Sequence, residues 1–149
     1  MELTHLQVLL AAGIGLWILI PTILARVSGW AALATVYRLQ DFFDGQRWHF
    51  QTAQMRWATN YGSCLTVGVS PRGLYLAVPF LFRPGHPPLL VPWGDIAVEL
   101  RQLTWFTAVE FRFRRVPGIP LRISPGLAER LAAAAGRWWP SQRSAGGRT

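Results

Sequence analysis

The first apolar pattern in the chain is a long uninterrupted run, and it predicts one transmembrane helix. Residues 6–25 read LQVLLAAGIGLWILIPTILA, without a charge and with Gln7 and Thr22 as the clearly polar side chains. At a rise of about 1.5 Å per residue these residues span about 30 Å, the thickness of a bilayer's hydrocarbon core. A cleaved signal peptide is the alternative, but no positive region precedes the run and no A-x-A site follows it.

The charges beside this run predict its direction. Glu2 precedes it, whereas Arg26 and Arg38 follow it, and positive flanks stay on the cytoplasmic side of a membrane. We therefore expect the rest of the chain to be cytoplasmic, on the inner face of the inner (cytoplasmic) membrane.

A short second helix is predicted directly after the membrane run. Ser28 is a capping residue, and Trp30, Leu33 and Tyr37 share one face of the helix that would follow. An aromatic ring with one polar end suits the boundary between lipid and water, so we expect Trp30 and Tyr37 at the membrane interface.

Between residues 47 and 123 the pattern changes to short alternating runs separated by turn signals, as in antiparallel barrels and sandwiches. The seven runs cover residues 47–58, 65–69, 74–80, 89–91, 96–101, 109–113 and 121–123. The first run changes parity, which predicts a bulge near Gln51 or Thr52 that bends the strand. The aromatic residues on the inward parity, and therefore in the predicted core, are Trp48, Phe50, Phe80, Phe111 and Phe113.

The last patterned segment has a helical period. Ser124 and Pro125 begin a helix that presents one apolar stripe, and Pro140 ends it. The predicted fold class is α+β, mainly β: an N-terminal transmembrane helix, then a seven-stranded antiparallel barrel or sandwich capped by a C-terminal helix. The predicted divisions are the anchor (residues 1–27), a juxtamembrane helix and linker (28–45), the domain (46–139) and a disordered tail (140–149).

One stretch of the domain carries a family resemblance. Residues 73–96, GLYLAVPFLFRPGHPPLLVPWGDI, together with SGW at residues 28–30, resemble uncharacterised bacterial single-pass membrane proteins with a pleckstrin-homology-like (PH-like) domain. The resemblance implies a bent two-sheet barrel closed at one end by its C-terminal helix. It covers residues 28–138 and implies no ligand, since fold alone does not specify function.

Charge is concentrated in the domain. The chain is 51% hydrophobic and 15% charged, a composition that excludes a disordered protein, and its net charge of +8 comes from fifteen arginines without a lysine. Such a domain could bind anionic lipid beneath a membrane. The predicted patch for lipid or partner comprises Arg72, Arg83, Arg101, Arg112, Arg114 and Arg115. The alternative is a solvated strand face whose arginines pair with Glu99 and Glu110.

The residue types that carry catalysis are sparse. His5, His49 and His86 lack partners at metal-ligand spacing, and the single cysteine, Cys64, excludes an intramolecular disulfide. We therefore predict no enzyme activity, no cofactor and no metal. Nucleic acid is not a predicted partner, because the aromatic residues are assigned to the core and not to a stacking platform.

The proline-rich segment after the third strand is the predicted partner loop. Its prolines make it stiff, so that it would lose little entropy on binding, and three consecutive apolar residues exceed what alternation can bury. The residues assigned to it are Phe80, Phe82, His86 and Trp93. The alternative is a loop packed under Trp93.

Two functions are consistent with these patterns. The first is a non-catalytic accessory or assembly subunit whose helix packs in a larger membrane-protein complex while the domain contacts partners. The second is an anchored module that binds anionic membrane lipids through its arginine patch. Spare aromatic surface favours the first.

Overall fold

The chain begins with two helices joined by a left-handed glycine. The computed structural model describes residues 2–55, 59–102, 107–140 and 143–144. Helix α1 (Glu2–Ser28) contains Pro21, and Thr4–Ser28 is long and apolar enough to cross a membrane. Gly29, at a φ of 95°, turns the chain into α2 (Trp30–Tyr37), and a side chain there would collide with Ile119. The predicted cap is displaced by one residue, although the Ser28 hydroxyl still accepts the Trp30 N–H at 3.3 Å.

One sheet holds all the strands that follow. The strands are β1 (Gln46–Met55), β2 (Thr59–Ser70), β3 (Gly73–Ala77), β4 (Leu89–Val91), β5 (Ile96–Gln102), β6 (Thr107–Phe113), β7 (Val116–Ile123) and β8 (Arg143–Ser144). Their order across the sheet is β4-β3-β2-β1-β7-β6-β5-β8. The first seven pair antiparallel, which agrees with the predicted α+β class and antiparallel arrangement.

Two of the segments that differ from their predictions do so through backbone pairing. Residues 60–63, which lie between the first two predicted runs, belong to β2, which extends the hairpin with β1 beyond the alternating run. Within the tail predicted to be disordered, β8 pairs in parallel with β5. Both differences are backbone pairings that side-chain alternation does not report, because they depend on the neighbouring strand and not on local composition.

Strand β1 is bent where the parity change predicts a bulge. Its register with β2 shifts between Trp48 and Gln51 and again between Gln51 and Ala53. Beyond the shifts, Gln54 pairs with Arg122 of β7. The bulge therefore lets one strand join the β2–β4 side of the sheet to the β5–β7 side.

Apolar side chains from the helices and from one face of the sheet form a single large core. The largest side chains that are fully enclosed are Trp30, Leu33, Leu65, Leu74, Leu76, Leu89, Phe111, Phe113, Leu121, Leu127 and Leu131. Phe111 and Phe113 are placed as predicted. Phe50 is not: its φ is 56° and its side chain is 74% exposed, because the bulge reverses the side on which the ring projects. Trp48 is half-buried against the core, and nothing is described for the Phe80 side chain.

Helix α3 (Pro125–Ala135) packs on this core as predicted. Leu127 and Leu131 are enclosed, and the Ser124 hydroxyl accepts the Leu127 N–H at 3.3 Å. The first turn of the helix thereby gains a partner for a backbone donor that has none within the helix.

We expect Ser124→Ala to lower the free energy of unfolding of the chain by about 1 kcal/mol, the usual contribution of a capping side chain. Thermal unfolding in detergent, followed by circular dichroism, measures the change. Ser124→Asp is the control, since its carboxylate caps equally well; a loss in the control as large as that in Ser124→Ala would contradict the assignment.

Candidate functional site

The loop between β3 and β4 lies along the second half of α1. We call residues 79–88 the proline loop. The Trp17 indole Nε1–H donates to the Leu81 carbonyl oxygen at 2.6 Å. Further along the loop, Gly85 touches the helix so closely that a Cβ would lie 2.8 Å from the Thr22 Cα. Gly85 also has a φ of 73°, so both its conformation and its surroundings require glycine.

One face of α1 receives this loop and the domain below it. Pro21, Ala25 and Ser28 are buried and lie three or four residues apart, whereas residues 4–16 are exposed. The loop and the domain therefore contact the second half of the helix, from Trp17 to Ser28. The small side chains on this face allow the loop backbone to come close.

Below that contact a buried chain of hydrogen bonds joins three separate segments. Ser28 Oγ lies 2.7 Å from the Tyr61 hydroxyl, which lies 2.9 Å from His86 Nε2. His86 Nδ1 lies 3.1 Å from the Pro84 carbonyl oxygen. All three side chains are buried, so these bonds replace water that cannot reach them.

The acceptor at the end of the chain fixes the direction of the bonds. A carbonyl oxygen only accepts, so His86 carries its proton on Nδ1 and the Tyr61 hydroxyl donates to Nε2. Ser28 Oγ accepts the Trp30 N–H, and its own proton faces both the Tyr61 hydroxyl and, at 3.4 Å, the Ala25 carbonyl oxygen. Burial lowers the pKa of His86, and the hydrogen bond to the Pro84 carbonyl opposes this shift only in part. The histidine is therefore neutral at pH 7.

Trp30 encloses this polar chain. Its ring lies 5.2 Å from the His86 ring and 5.8 Å from the Tyr61 ring, and its Nε1–H donates to the Pro87 carbonyl oxygen at 2.9 Å. The structure thus buries Trp30 under the proline loop, so its ring contacts protein and is not exposed. The apolar face of α2 packs on the domain, and the level of this residue relative to a membrane stays a prediction.

Tyr37 is likewise buried. Its hydroxyl donates to Asp95 Oδ2 at 3.2 Å and accepts the Arg115 N–H at 3.1 Å, and burial raises its pKa. It therefore connects α2 to the β4–β5 turn and to the β6–β7 turn, and its predicted place at the membrane interface stays a prediction.

The residues assigned to the partner loop separate into two groups. Phe82 is 44% exposed, and its neighbour Leu81 is 64% exposed. His86 and Trp93 are buried, the latter with its indole donating to the Ser70 carbonyl oxygen at 2.8 Å. The loop packs on Trp30, whose indole donates to the Pro87 carbonyl oxygen, while the indole of Trp93 bonds to Ser70.

The arginines assigned to a patch are divided among several carboxylates. The central one is Glu110, only 1% exposed, with Arg101 Nε at 2.6 Å from Oε2 and Arg112 Nε at 3.6 Å from Oε1. Arg122, opposite Glu110 on β7, lies at 4.0 Å. Glu99, opposite Glu110 on β5, adds a second carboxylate at 4.0 Å from Arg112.

Two other arginines of the predicted patch are paired elsewhere. Arg72 binds Asp41 at 2.9 Å, and Arg115 lies 3.6 Å from Asp95. Arg83 and Arg114 are exposed, and within the described ranges no salt bridge is recorded for either. The structure therefore does not assemble the six residues into one patch of uncompensated positive charge.

In the described part of the chain, no accessible group of side chains has the arrangement of a catalytic site. Among those residues, no group of three or more His, Cys, Asp or Glu side chains converges as metal ligands would. Tyr61 and Ser28, which sequence reasoning missed, meet His86, but all three are enclosed beneath the loop. The signal for them was weak, because isolated Ser and Tyr residues in apolar segments predict no particular partner.

We expect stability to fall in acid because of His86. Its pKa is lower in the folded chain than in the unfolded chain, where it is about 6.5, so the unfolded state binds the proton first. The contribution of His86 to the free energy of unfolding should therefore be complete above pH 6.5. Below that pH the free energy of unfolding should decrease, by at most about 1.4 kcal/mol per pH unit.

Chemical unfolding of the full chain between pH 7.5 and pH 5 measures this slope. In His86→Gln the slope should be smaller, while His5 and His49, both exposed, remain in both proteins. An identical slope in the two proteins would show that His86 does not cause the pH dependence.

We expect Glu110→Gln to lower the free energy of unfolding by about 1–3 kcal/mol, because it leaves the neighbouring arginines without their shared buried counter-charge. Glu99→Gln, on the adjoining strand and more exposed, is the matched control and should cost less than about 1 kcal/mol. Urea denaturation compares the two variants, and equal losses would contradict a central role for Glu110.

Comparisons with protein families and with curated proteins found no relative of this chain. No protein-family model matches the chain, and no curated protein matches it. The proposal below is therefore supported by the contacts and chemistry of this chain alone.

Proposed function

We propose that the protein is a non-catalytic, membrane-anchored accessory or assembly subunit. Its α1 would cross the membrane, and its domain, which we infer to be PH-like, would contact partner proteins at the cytoplasmic membrane face. The bend of β1, its pairing with both β2 and β7, and the packing of α3 on the core support the PH-like assignment.

The fixed connection between helix and domain supports a structural role. Trp17, Ser28 and Trp30 each bond to a segment more than thirty residues away. Such bonds prevent the free rotation that a flexible tether would allow. A partner in the membrane and a partner below it would therefore meet this chain in one defined orientation.

The observation that carries the proposal is the conformation of Phe50. A non-glycine residue at positive φ costs about 1–2 kcal/mol of conformational free energy. Phe50 has this conformation, and its aromatic ring projects outward from the sheet. Aromatic residues are enriched where protein surfaces bind each other. The ring gains little within the chain, where its recorded ring neighbour is the exposed His49 at 6.4 Å.

The lipid-binding alternative is less well supported. Arg72, Arg101, Arg112 and Arg115 lie against carboxylates, so their charge is already compensated. Exposed arginines that remain, such as Arg114, would attract an anionic membrane only weakly.

The test compares two substitutions at one position. Phe50→Gly removes the ring and also the steric cost of positive φ, so the chain should be at least as stable as the original. Phe50→Tyr keeps an aromatic ring at the same site. In cells whose only copy is tagged, a mild detergent extract on a native gel should contain a discrete larger species for the original chain and for Phe50→Tyr.

For Phe50→Gly we expect loss of this species with no decrease in melting temperature. Recovery of the original chain as a monomer alone would contradict the proposed function. Retention of the larger species by Phe50→Gly would exclude Phe50 as the contact.

A further inference from the structure

The contact between α1 and the proline loop occurs at a measurable depth along the helix. Between Glu2 and Arg26 the helix contains no Asp, Glu, Lys or Arg. A hydrocarbon core of about 30 Å takes about 20 helical residues. Wherever these residues are placed between the two charges, the boundary of the hydrocarbon on the domain side lies at residues 22–25.

Trp17, which holds Leu81, is deeper than that boundary. It lies about five to eight residues, or about 7–12 Å, inside at 1.5 Å per residue. Helical side chains also lean toward the N-terminus, which places the indole slightly deeper still. Since the Leu81 carbonyl oxygen is 2.6 Å from that indole, this part of the loop shares its depth.

The backbone of the loop is prepared for an environment without water. The Leu81 carbonyl receives the Trp17 indole proton, and the Phe82 N–H donates to the Pro79 carbonyl oxygen at 2.9 Å. Pro79 and Pro84 have no N–H that would need a partner. Non-helical backbone is tolerated at membrane depth where it is covered by protein, and the single helical turn at residues 80–82 lies with its backbone against α1.

The exposed side chains of the loop change from apolar to charged in the same order as a leaflet changes from hydrocarbon to headgroups. Leu81 and Phe82 project from the molecule beside α1, where burial in lipid would remove their apolar surface from water. Arg83 follows them and is exposed, and Gly85 meets Thr22 at the expected boundary. A long arginine stem at this position reaches from apolar surroundings to the phosphates of the headgroups.

We propose that residues 80–82 are immersed in the hydrocarbon of the leaflet on the domain side, with Arg83 at the level of its headgroups. The occupant of this surface is lipid and not protein, because the surface is continuous with the lipid-exposed face of α1. This inference shares with the proposed function the premise that α1 crosses the membrane, but it requires no protein partner.

The experiment uses the full chain in phosphatidylcholine vesicles without other proteins. With Cys64 replaced by alanine, single cysteines at Leu81, Ile14 and Leu100 are labelled with an environment-sensitive fluorophore. Ile14 is an exposed residue of α1, and Leu100 is an exposed leucine of β5, at the other end of the strand order from β4. Lipids with a spin label on the acyl chain then report contact by loss of fluorescence.

We expect labels at Ile14 and Leu81 to show blue-shifted emission and to lose fluorescence to the acyl-chain spin label. The label at Leu100 should remain accessible to iodide in water. If Ile14 is quenched and Leu81 behaves like Leu100, the immersion of the loop is wrong while the membrane anchor stands. If Ile14 is also accessible to iodide, the shared premise fails.

A second substitution tests the role of the indole. In Trp17→Phe the Leu81 carbonyl loses its donor, and the label at Leu81 should shift to longer wavelength and be quenched less by the lipid. The label at Ile14 should not change. An unchanged signal at Leu81 would show that the indole bond does not hold the loop at this depth.

Discussion

The position of the domain relative to α1 depends on satisfying polar atoms where water is absent. The Leu81 and Pro87 carbonyls and the His86 ring are each bonded by a side chain from outside the proline loop, namely Trp17, Trp30 and Tyr61. At Pro87 and His86, where the bonds are partly or fully buried, losing the partner would leave a polar group with a desolvation cost. The loop is therefore held in one position on the helix, and the sheet that carries the loop is positioned with it.

Local periodicity predicted most elements of this fold, and pairing between distant segments decided what it did not predict. The apolar run, the bulge in β1 and the Ser124 cap are each encoded within a few residues, and each is present. Trp30 illustrates the limit. Its apolar face was evident, but only the loop that it meets 57 residues later determines whether that face contacts lipid or protein.

The pairing of charges also could not be predicted from local sequence. Composition gives the excess of arginine over acid, but strand register decides which charges meet. Because β5, β6 and β7 are adjacent, Glu99, Glu110 and Arg122 lie side by side. Arginines at neighbouring positions of these strands contact the central carboxylate of Glu110. Part of the positive charge that is evident in the sequence is thus paired with carboxylates, most closely around the buried Glu110.

Two of the exposed apolar side chains, Leu81 and Phe50, differ in the conformation and hydrogen bonding of the backbone that carries them. Around Leu81 every recorded bond relieves a polar group, and prolines remove donors, as a lipid environment demands. At Phe50 the backbone is instead held at positive φ, a cost that lipid burial would not require, since a leucine or phenylalanine in an ordinary turn enters a bilayer equally well. This difference supports the proposal that the Phe50 ring contacts a protein surface, because a protein has a shape that depends on the direction of the ring.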